Sequence, residues 1–435
     1  MVQSQSSPQE KLITFLKKKG TGSTMSKSLM TDELLEIECL FKNEAVHLTT
    51  KATIFTALIL LKPNADEEKW LKKIINNPRK FLPPKLQPLL PNTKTTDPFL
   101  KLTHQVIQHQ NLSQKEFLIA LEYLFNPSIP EHYKAAFLEA ERLKSESEEE
   151  NLTCLLDFIN RSSRQRVDLP VLIDLANPYD GFNRTPNLSP FLAALLSSIG
   201  IPVLLHGVEN VSPKYGITPI KLLKKVNHNL PLSIPDILSR IQDDHCGWAY
   251  IDQEQSFPEL FNLLNLRKNM VKRPILATIE KLLCPIYSNF NHLLVTGYTH
   301  PPYRQKTIKL YQHHPLIKEG LIIRGVEGSS QLPLDRRAPL VRVNDQDSQE
   351  SFITPEKYNI KKNTQKFTQP ISLEENIEMG IAALKGQNGW AKDQLIYQSL
   401  VIIDSLDLKP PEEALSALCL SIETGMALKH WQSGL

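Results

Sequence analysis

The chain has 435 residues, 41% of them hydrophobic and 22% charged, enough apolar material for two or three domain cores and not a composition that stays disordered. Fifty lysines and arginines against 47 acids leave a net charge of +3, too small to argue for a nucleic-acid partner by itself. The five scattered cysteines, Cys39, Cys154, Cys246, Cys284 and Cys419, lack paired spacing, which argues against a disulfide framework or a structural zinc and fits a reducing compartment.

Residues 1–28 read as a polar tail and a short helix over Glu10 to Lys18, then the loop GTGSTMSK. No strand precedes its GTG, so a helix connection is expected there rather than a phosphate loop. Residues 29–80 read as helices, with Thr31 before Asp32 and Glu33 as a start signal. The stretch FLPPKLQPLLPNTKTTDP, 81–98, reads as a proline-rich linker.

A second helical block, 99–165, echoes the first. LMTDELLEIECLFKNE (29–44) is matched in order and spacing by NLSQKEFLIALEYLFN (111–126), and 53–74 by 135–159. A duplicated helical hairpin is expected. From 166 to 435 the pattern becomes α/β. Strands are expected at 167–174, 202–207, 248–251, 292–297 and 320–325, with a helix over 190–199. Residues 341–370 read as a polar connection. Helices are expected at 373–384, 392–404 and 411–431. Strands alternating with helices imply a mostly parallel central sheet flanked by helices, preceded by an all-α lobe, with ligands at the strands' carboxyl ends. No run reaches the roughly 18 apolar residues needed to span a bilayer. The longest, 191–205, is broken by Ser197, Ser198, Gly200 and Pro202. A cytoplasmic protein with no membrane contact is expected.

The segment DGFNRTPNLSPFLAALLSSIGIPVLLHG (180–207) resembles the phosphoribosyl-pyrophosphate segment of the anthranilate phosphoribosyltransferase family, the glycosyltransferase family 3 or class II nucleoside phosphorylase fold. Asp180, Gly181, Thr185, Asn187, Ser189, Gly200, Pro202, Val203, His206 and Gly207 carry the match. LNLRKNMVKRPILATIEKLLCPI (264–286), GLIIRGVEGSSQLPLD (320–335) and 386–406 resemble the family's arginine-bearing helix, its acidic loop and its closing helices in the same order. The resemblance covers about 99–435 and marks a divergent branch.

It implies a pentosyl transferase that uses phosphoribosyl pyrophosphate. Asp180, Gly181, Thr185, Asn187 and Ser189 would then hold phosphate or phosphoribosyl, with Ser189 also linked to Mg2+. His206, Arg184, Arg267, Arg273 and Arg324 would bind the acceptor or a phosphate backbone. No residue is assigned a catalytic role. His206, at a strand end, reads either as a general base or as a structural hydrogen-bonder. Two departures weaken the enzyme reading. Ala176-Asn177-Pro178-Tyr179 stands where a glycine-rich turn is expected, with Pro178 removing an N–H and Tyr179 adding bulk. Ser329, Ser330 and Gln331 stand where two carboxylates would hold Mg2+, with Glu327 offset. Tryptophan-pathway activity is therefore expected to be absent or weak.

The alternative is a non-catalytic paralogue that binds single-stranded nucleic acid through a basic interlobe cleft. Arg161, Arg164, Arg166, Lys268 and Lys272 would join the arginines above. The family also implies a homodimer through the helical lobe, unless the extra copy covers that face.

Overall fold

The computed structural model describes residues 6–22, 25–91, 93–227 and 230–435. Ser23 and Thr24 of the GTGSTMSK loop, and residues 1–5 of the tail, lie outside them. The chain forms two compact units, Met1–Asp157 with Asn262–Ile279, and Phe158–Phe261 with Glu280–Leu435. The expected boundary at 166 thus falls at 158. Residues 262–279, expected in the α/β region, fold with the helices. The Leu264–Met270 helix explains this, because it buries Leu266, Arg267 and Met270.

The segment 81–98 is not a linker. Phe81, Leu82, Leu86, Leu89 and Leu90 are buried in one core with Leu34, Phe41, Phe55 and Trp70. Pro84–Leu89 is a 3-10 turn. Proline removes backbone donors and fixes φ, but it leaves the leucines between free to pack.

In the helical unit, Thr31–Lys42, Leu48–Leu60 and Ala65–Asn76 are answered by Gln114–Phe125, Glu131–Lys144 and Glu148–Arg161, each start 83 positions later. The detail repeats at the same offset. Asn43 and Asn126 end the first helix of each set, and each Oδ1 accepts the N–H two residues on, Ala45 and Ser128, at 2.9 Å. Glu67 accepts from the N–H of Asn64 at 3.0 Å and of Leu29 at 2.9 Å. Glu150 accepts from Ser147 at 2.6 Å and Leu112 at 2.8 Å. Each glutamate closes a capping box at its own helix and ties down the start of an earlier one. Leu48–Leu60 packs against Glu131–Lys144, so apolar surface of each set is buried within the chain.

The α/β unit is built on seven strands, in the order β4-β3-β2-β6-β7-β8-β9. These are β2 (Leu172–Ala176), β3 (Val203–Gly207), β4 (Trp248–Asp252), β6 (His292–Gly297), β7 (Glu319–Ile323), β8 (Ala338–Asn344) and β9 (Ser348–Ile353). A short parallel pair, β1 (Gln165–Val167) and β5 (Ile286–Ser288), stands apart. The first five strands of the large sheet are parallel and the last two antiparallel, in line with the mostly parallel sheet expected.

The expected strand at 167–174 is split into β1 and β2 around Pro170, which cannot donate to a ladder. Residues 341–370 are not simply a connection, since they contain most of the β8–β9 hairpin. β9 is a polar, exposed edge strand, a composition that edges use to resist further pairing. The expected helix 411–431 is two, Pro411–Glu423 and Met426–Ser433, divided at Gly425 with φ +75°.

Side chains alternate across the sheet with period two. Ile173, Leu175, Val203, Leu205, Leu293 and Val295 face the large core, beneath the fully buried Ser189–Ser197 helix. Leu172, Leu204, Ala249 and Ile251 face a smaller one. Asp174, His206 and His292 fall in the same alternation as this second set, so a polar group lies on an otherwise apolar face.

Candidate functional site at the strand ends

The chain leaving β2 turns at Gly181, whose φ is +75°. A Cβ there would meet the Gly216 carbonyl carbon at 2.7 Å, so only glycine fits. The loop then presents three donors to one carboxylate. Glu327, on the loop after β7, accepts from the N–H of Asn183 at 3.1 Å and of Arg184 at 2.7 Å. The Thr185 hydroxyl lies 3.4 Å away. Lys214 Nζ pairs with the carboxylate at 3.2 Å and also donates to the carbonyl oxygens of Gly181 and Glu327. Asp180 lies 4.0 Å from the same ammonium.

Consecutive backbone amides plus a lysine make an anion seat. Glu327 fills it with a side chain 8% exposed. It does so from a left-handed backbone, φ +55°, which costs a non-glycine residue about 1–2 kcal/mol.

Asn187 and Ser189 are buried beyond the seat and look inward. Ser189 donates from N and Oγ to Asn187 Oδ1 at 3.1 and 2.6 Å, and Asn187 Nδ2 donates to the Ile217 carbonyl. The Asn187 backbone exchanges both its bonds with the buried Asn376 amide, at 2.8 and 3.0 Å. Gln331 bridges the same turn, donating to the Pro186 carbonyl and accepting from the Leu188 N–H.

The residues replacing the expected glycine turn and carboxylate pair meet each other. Asn177 Oδ1 accepts from Ser330 N and Oγ at 2.9 and 3.0 Å, and Ser329 Oγ donates to the Val326 carbonyl. The cavity lined by Asn177, Ser189, Ser330, Gln331, Gln394 and Gln398 has only about 10 Å3, the order of one water molecule.

His206 ends β3 fully inside the protein. Its Nδ1 lies 2.6 Å from the Tyr179 hydroxyl, which also donates to the Glu280 carbonyl at 3.1 Å. Its Nε2 lies 2.8 Å from Asp174 Oδ1. The second Asp174 oxygen is 3.8 Å from His292 Nε2. Burial pushes the His292 imidazole toward its neutral form, outweighing the pull of Asp174, and holds the Cys284 thiol protonated.

The structure therefore gathers Asp180, Gly181, Arg184, Thr185, Asn187, Ser189, His206 and Arg324 in the α/β unit, and places Arg267 and Arg273 in the helical one. Arg184, Arg324 and Arg273 are exposed, whereas Arg267 is only 1% exposed. Lys214, Asn376 and Asp174 escape the sequence reading. An aspartate at the centre of an apolar run, VLIDLA, is the one visible signal among them.

The α/β unit carries a mostly parallel sheet with a cluster of backbone donors at its strand ends, and the other unit is all-α. No protein-family model matches the chain. It is 25% identical over 334 residues to the anthranilate phosphoribosyltransferase of Bacillus cereus (strain AH820), covering 74% of this chain and 93% of that protein. It is 29% identical over 253 residues to an uncharacterized protein of Aquifex aeolicus (strain VF5), covering 57% and 74%.

Among solved structures, anthranilate phosphoribosyltransferase from Thermus thermophilus superposes with a TM-score of 0.62 at 18% identity, over 76% of this chain and 97% of that one. The Saccharomyces cerevisiae enzyme in complex with PRPP and Mg gives 0.63 at 14% identity, over 77% and 96%. The chain is thus similar to anthranilate phosphoribosyltransferases in fold and in sequence. Among the described residues no helix is long and apolar enough to cross a membrane.

Proposed function

We propose that this chain keeps the phosphoribosyltransferase-like fold without tryptophan-pathway turnover, because its own Glu327 occupies the place of the substrate's phosphate. The observation that carries this reading is the Glu327 carboxylate on the N–H groups of Asn183 and Arg184, with Lys214 as counter-ion. A pyrophosphate would have to displace a charge-assisted set of bonds already formed.

The magnesium that the resemblance implies also lacks a home. It needs hard, anionic oxygens. Ser329, Ser330 and Gln331 are neutral, and their side chains bond within the chain. The Ser189 hydroxyl is turned onto Asn187. These residues do not fit Mg2+.

The test is direct. The pure protein is given anthranilate, phosphoribosyl pyrophosphate and Mg2+, and anthranilate fluorescence is followed. No loss above the protein-free control is expected, and substantial turnover overturns the reading.

One observation favours a second reading, a single-stranded nucleic acid as the anionic ligand. Arg184 and Arg324 are exposed on the two loops that Glu327 joins. Exposed arginines suit phosphodiesters without any need for the occupied seat. Binding that weakens steeply with salt supports it, and no binding at low salt removes it.

A further inference from the structure

On the opposite face of the sheet from the Ser189–Ser197 helix, four polar side chains meet in the protein interior. Asp174 is 0% exposed, His292 1%, Cys284 0% and His206 4%. Strand register explains the meeting. Asp174 pairs across β6 with Leu294, two residues from His292, and across β3 with Leu204, two residues from His206. The carboxylate therefore sits diagonally between two imidazoles. Cys284 approaches from the segment before β5.

Buried polar groups are expected to have partners, and each exception needs a cause. Here neither ring nitrogen of His292 has a hydrogen-bond partner, and neither Asp174 oxygen has one of good geometry. One Asp174 oxygen, one His292 nitrogen and the Cys284 sulfur lie within 4.8 Å of one another.

We propose that Asp174, His292 and Cys284 form a buried site for a divalent transition-metal ion of the zinc class. The donor set argues the ion's identity. Imidazole and thiolate select zinc-like metals over magnesium or calcium, which take oxygens. Binding draws the three donors, which lie within 4.8 Å of one another, closer together. Bonds of about 2.0–2.3 Å set tetrahedral donors roughly 3.4 Å apart, against the 3.8 Å between Asp174 Oδ2 and His292 Nε2.

His206 completes the arrangement without binding the metal. Its Nε2 lies 2.8 Å from Asp174 Oδ1, leaving Oδ2 for the ion, and its other nitrogen lies 2.6 Å from the Tyr179 hydroxyl. Such outer partners orient ligand carboxylates.

Charge also balances. The Cys284 thiol gives up its proton to solvent as the S–metal bond forms. A 2+ ion with one carboxylate and one thiolate is then neutral, the form a buried site tolerates. Because the site is closed, the ion enters as the chain folds. The wide spacing of the cysteines argues against structural zinc only where cysteines come in pairs. A set drawn from β2, β6 and one lone cysteine leaves no such spacing to find.

The test measures metal content of the full-length protein by mass spectrometry, after purification and after refolding with Zn2+ or Co2+. About one ion per chain is expected. In Cys284→Ala and Asp174→Asn it falls about tenfold or more. Should either variant fold poorly, the cobalt-refolded wild type decides alone. A thiolate-to-cobalt band in the near ultraviolet supports the site. Wild-type protein that folds fully with neither metal bound, or a cobalt form without that band, overturns it.

Discussion

The two units bury carboxylates in opposite ways. In the helical unit, Glu67 and Glu150 each take two backbone N–H groups and one lysine, Lys19 at 2.8 Å and Lys144 at 2.7 Å. In the α/β unit, Asp174 has one imidazole at 2.8 Å, another too far for a bond, and no backbone donor. The first pair closes its hydrogen-bond accounts and recurs at a fixed spacing, so it holds helices together. The second leaves capacity open where no stability argument asks for it. Glu327 stands between these cases, since it is as fully bonded as a structural carboxylate, yet it sits on the loop where the family resemblance implies a phosphate.

The two helical sets also differ in where the cation comes from. The position matching Lys144 is Leu61, and the lysine in the first set comes from the helix Pro8–Lys19 instead. Removing Glu67 should therefore strand Lys19, which is 2% exposed. Glu67→Ala is expected to cost about 3–5 kcal/mol in urea unfolding, the range for breaking one side of a buried pair. Glu150→Ala should cost less, because Glu141 already lies 3.3 Å from Lys144 and can take over. Equal losses would break the comparison.

Glu141 sharpens it through pH. Burial, then the neighbouring Glu150, pushes its carboxyl up to about 8, above the ordinary 4.5. The folded state thus holds a proton that the unfolded chain releases. The contribution is fully present below pH 4.5 and is lost as pH rises toward 8, at up to about 1.4 kcal/mol per pH unit. Glu141→Gln should flatten that decline in unfolding free energy between pH 5 and 8. An unchanged slope would place the titration elsewhere.

How much of this is readable beforehand depends on distance along the chain. The capping boxes are local patterns, and so is the echo between 29–44 and 111–126. The apolar runs over 172–176 and 292–297 show buried strands, and the resemblance of 180–207 draws attention to that loop. The occupant of the seat is not readable. Glu327 meets Arg184 across 143 residues, and nothing near Glu327 in sequence marks it as an internal anion. Nor is the fate of Arg267, because LNLRKNM looks amphipathic with the arginine free to face either way. Its side chain is 1% exposed, which the local pattern does not foretell. The proline-rich 81–98 misleads for a related reason: local breakers say how a segment bends and nothing of what its leucines touch.

Glu327→Gln tests the middle case. It removes the charge from bonds to Asn183, Arg184 and Lys214, at an expected cost of about 1.5–3 kcal/mol. The loosened seat should then take pyrophosphate, seen as a thermal shift that the wild type lacks. A wild type that binds pyrophosphate as well as the variant would show that Glu327 is no competitor.

The smallest effect separates exposed from buried arginines. If single-stranded nucleic acid binds the α/β unit, Arg184→Ala and Arg324→Ala should each lower the slope of log affinity against log salt by about 1. Both side chains are exposed, so each can release a counter-ion from one phosphate. Arg267→Ala should leave that slope unchanged while lowering stability, since its guanidinium is buried. The pattern discriminates because the family resemblance makes Arg267 the ligand-binding residue, whereas the packing makes it a core one. A reduced slope in Arg267→Ala with intact stability would reverse that assignment and return the helix Leu264–Met270 to the binding surface.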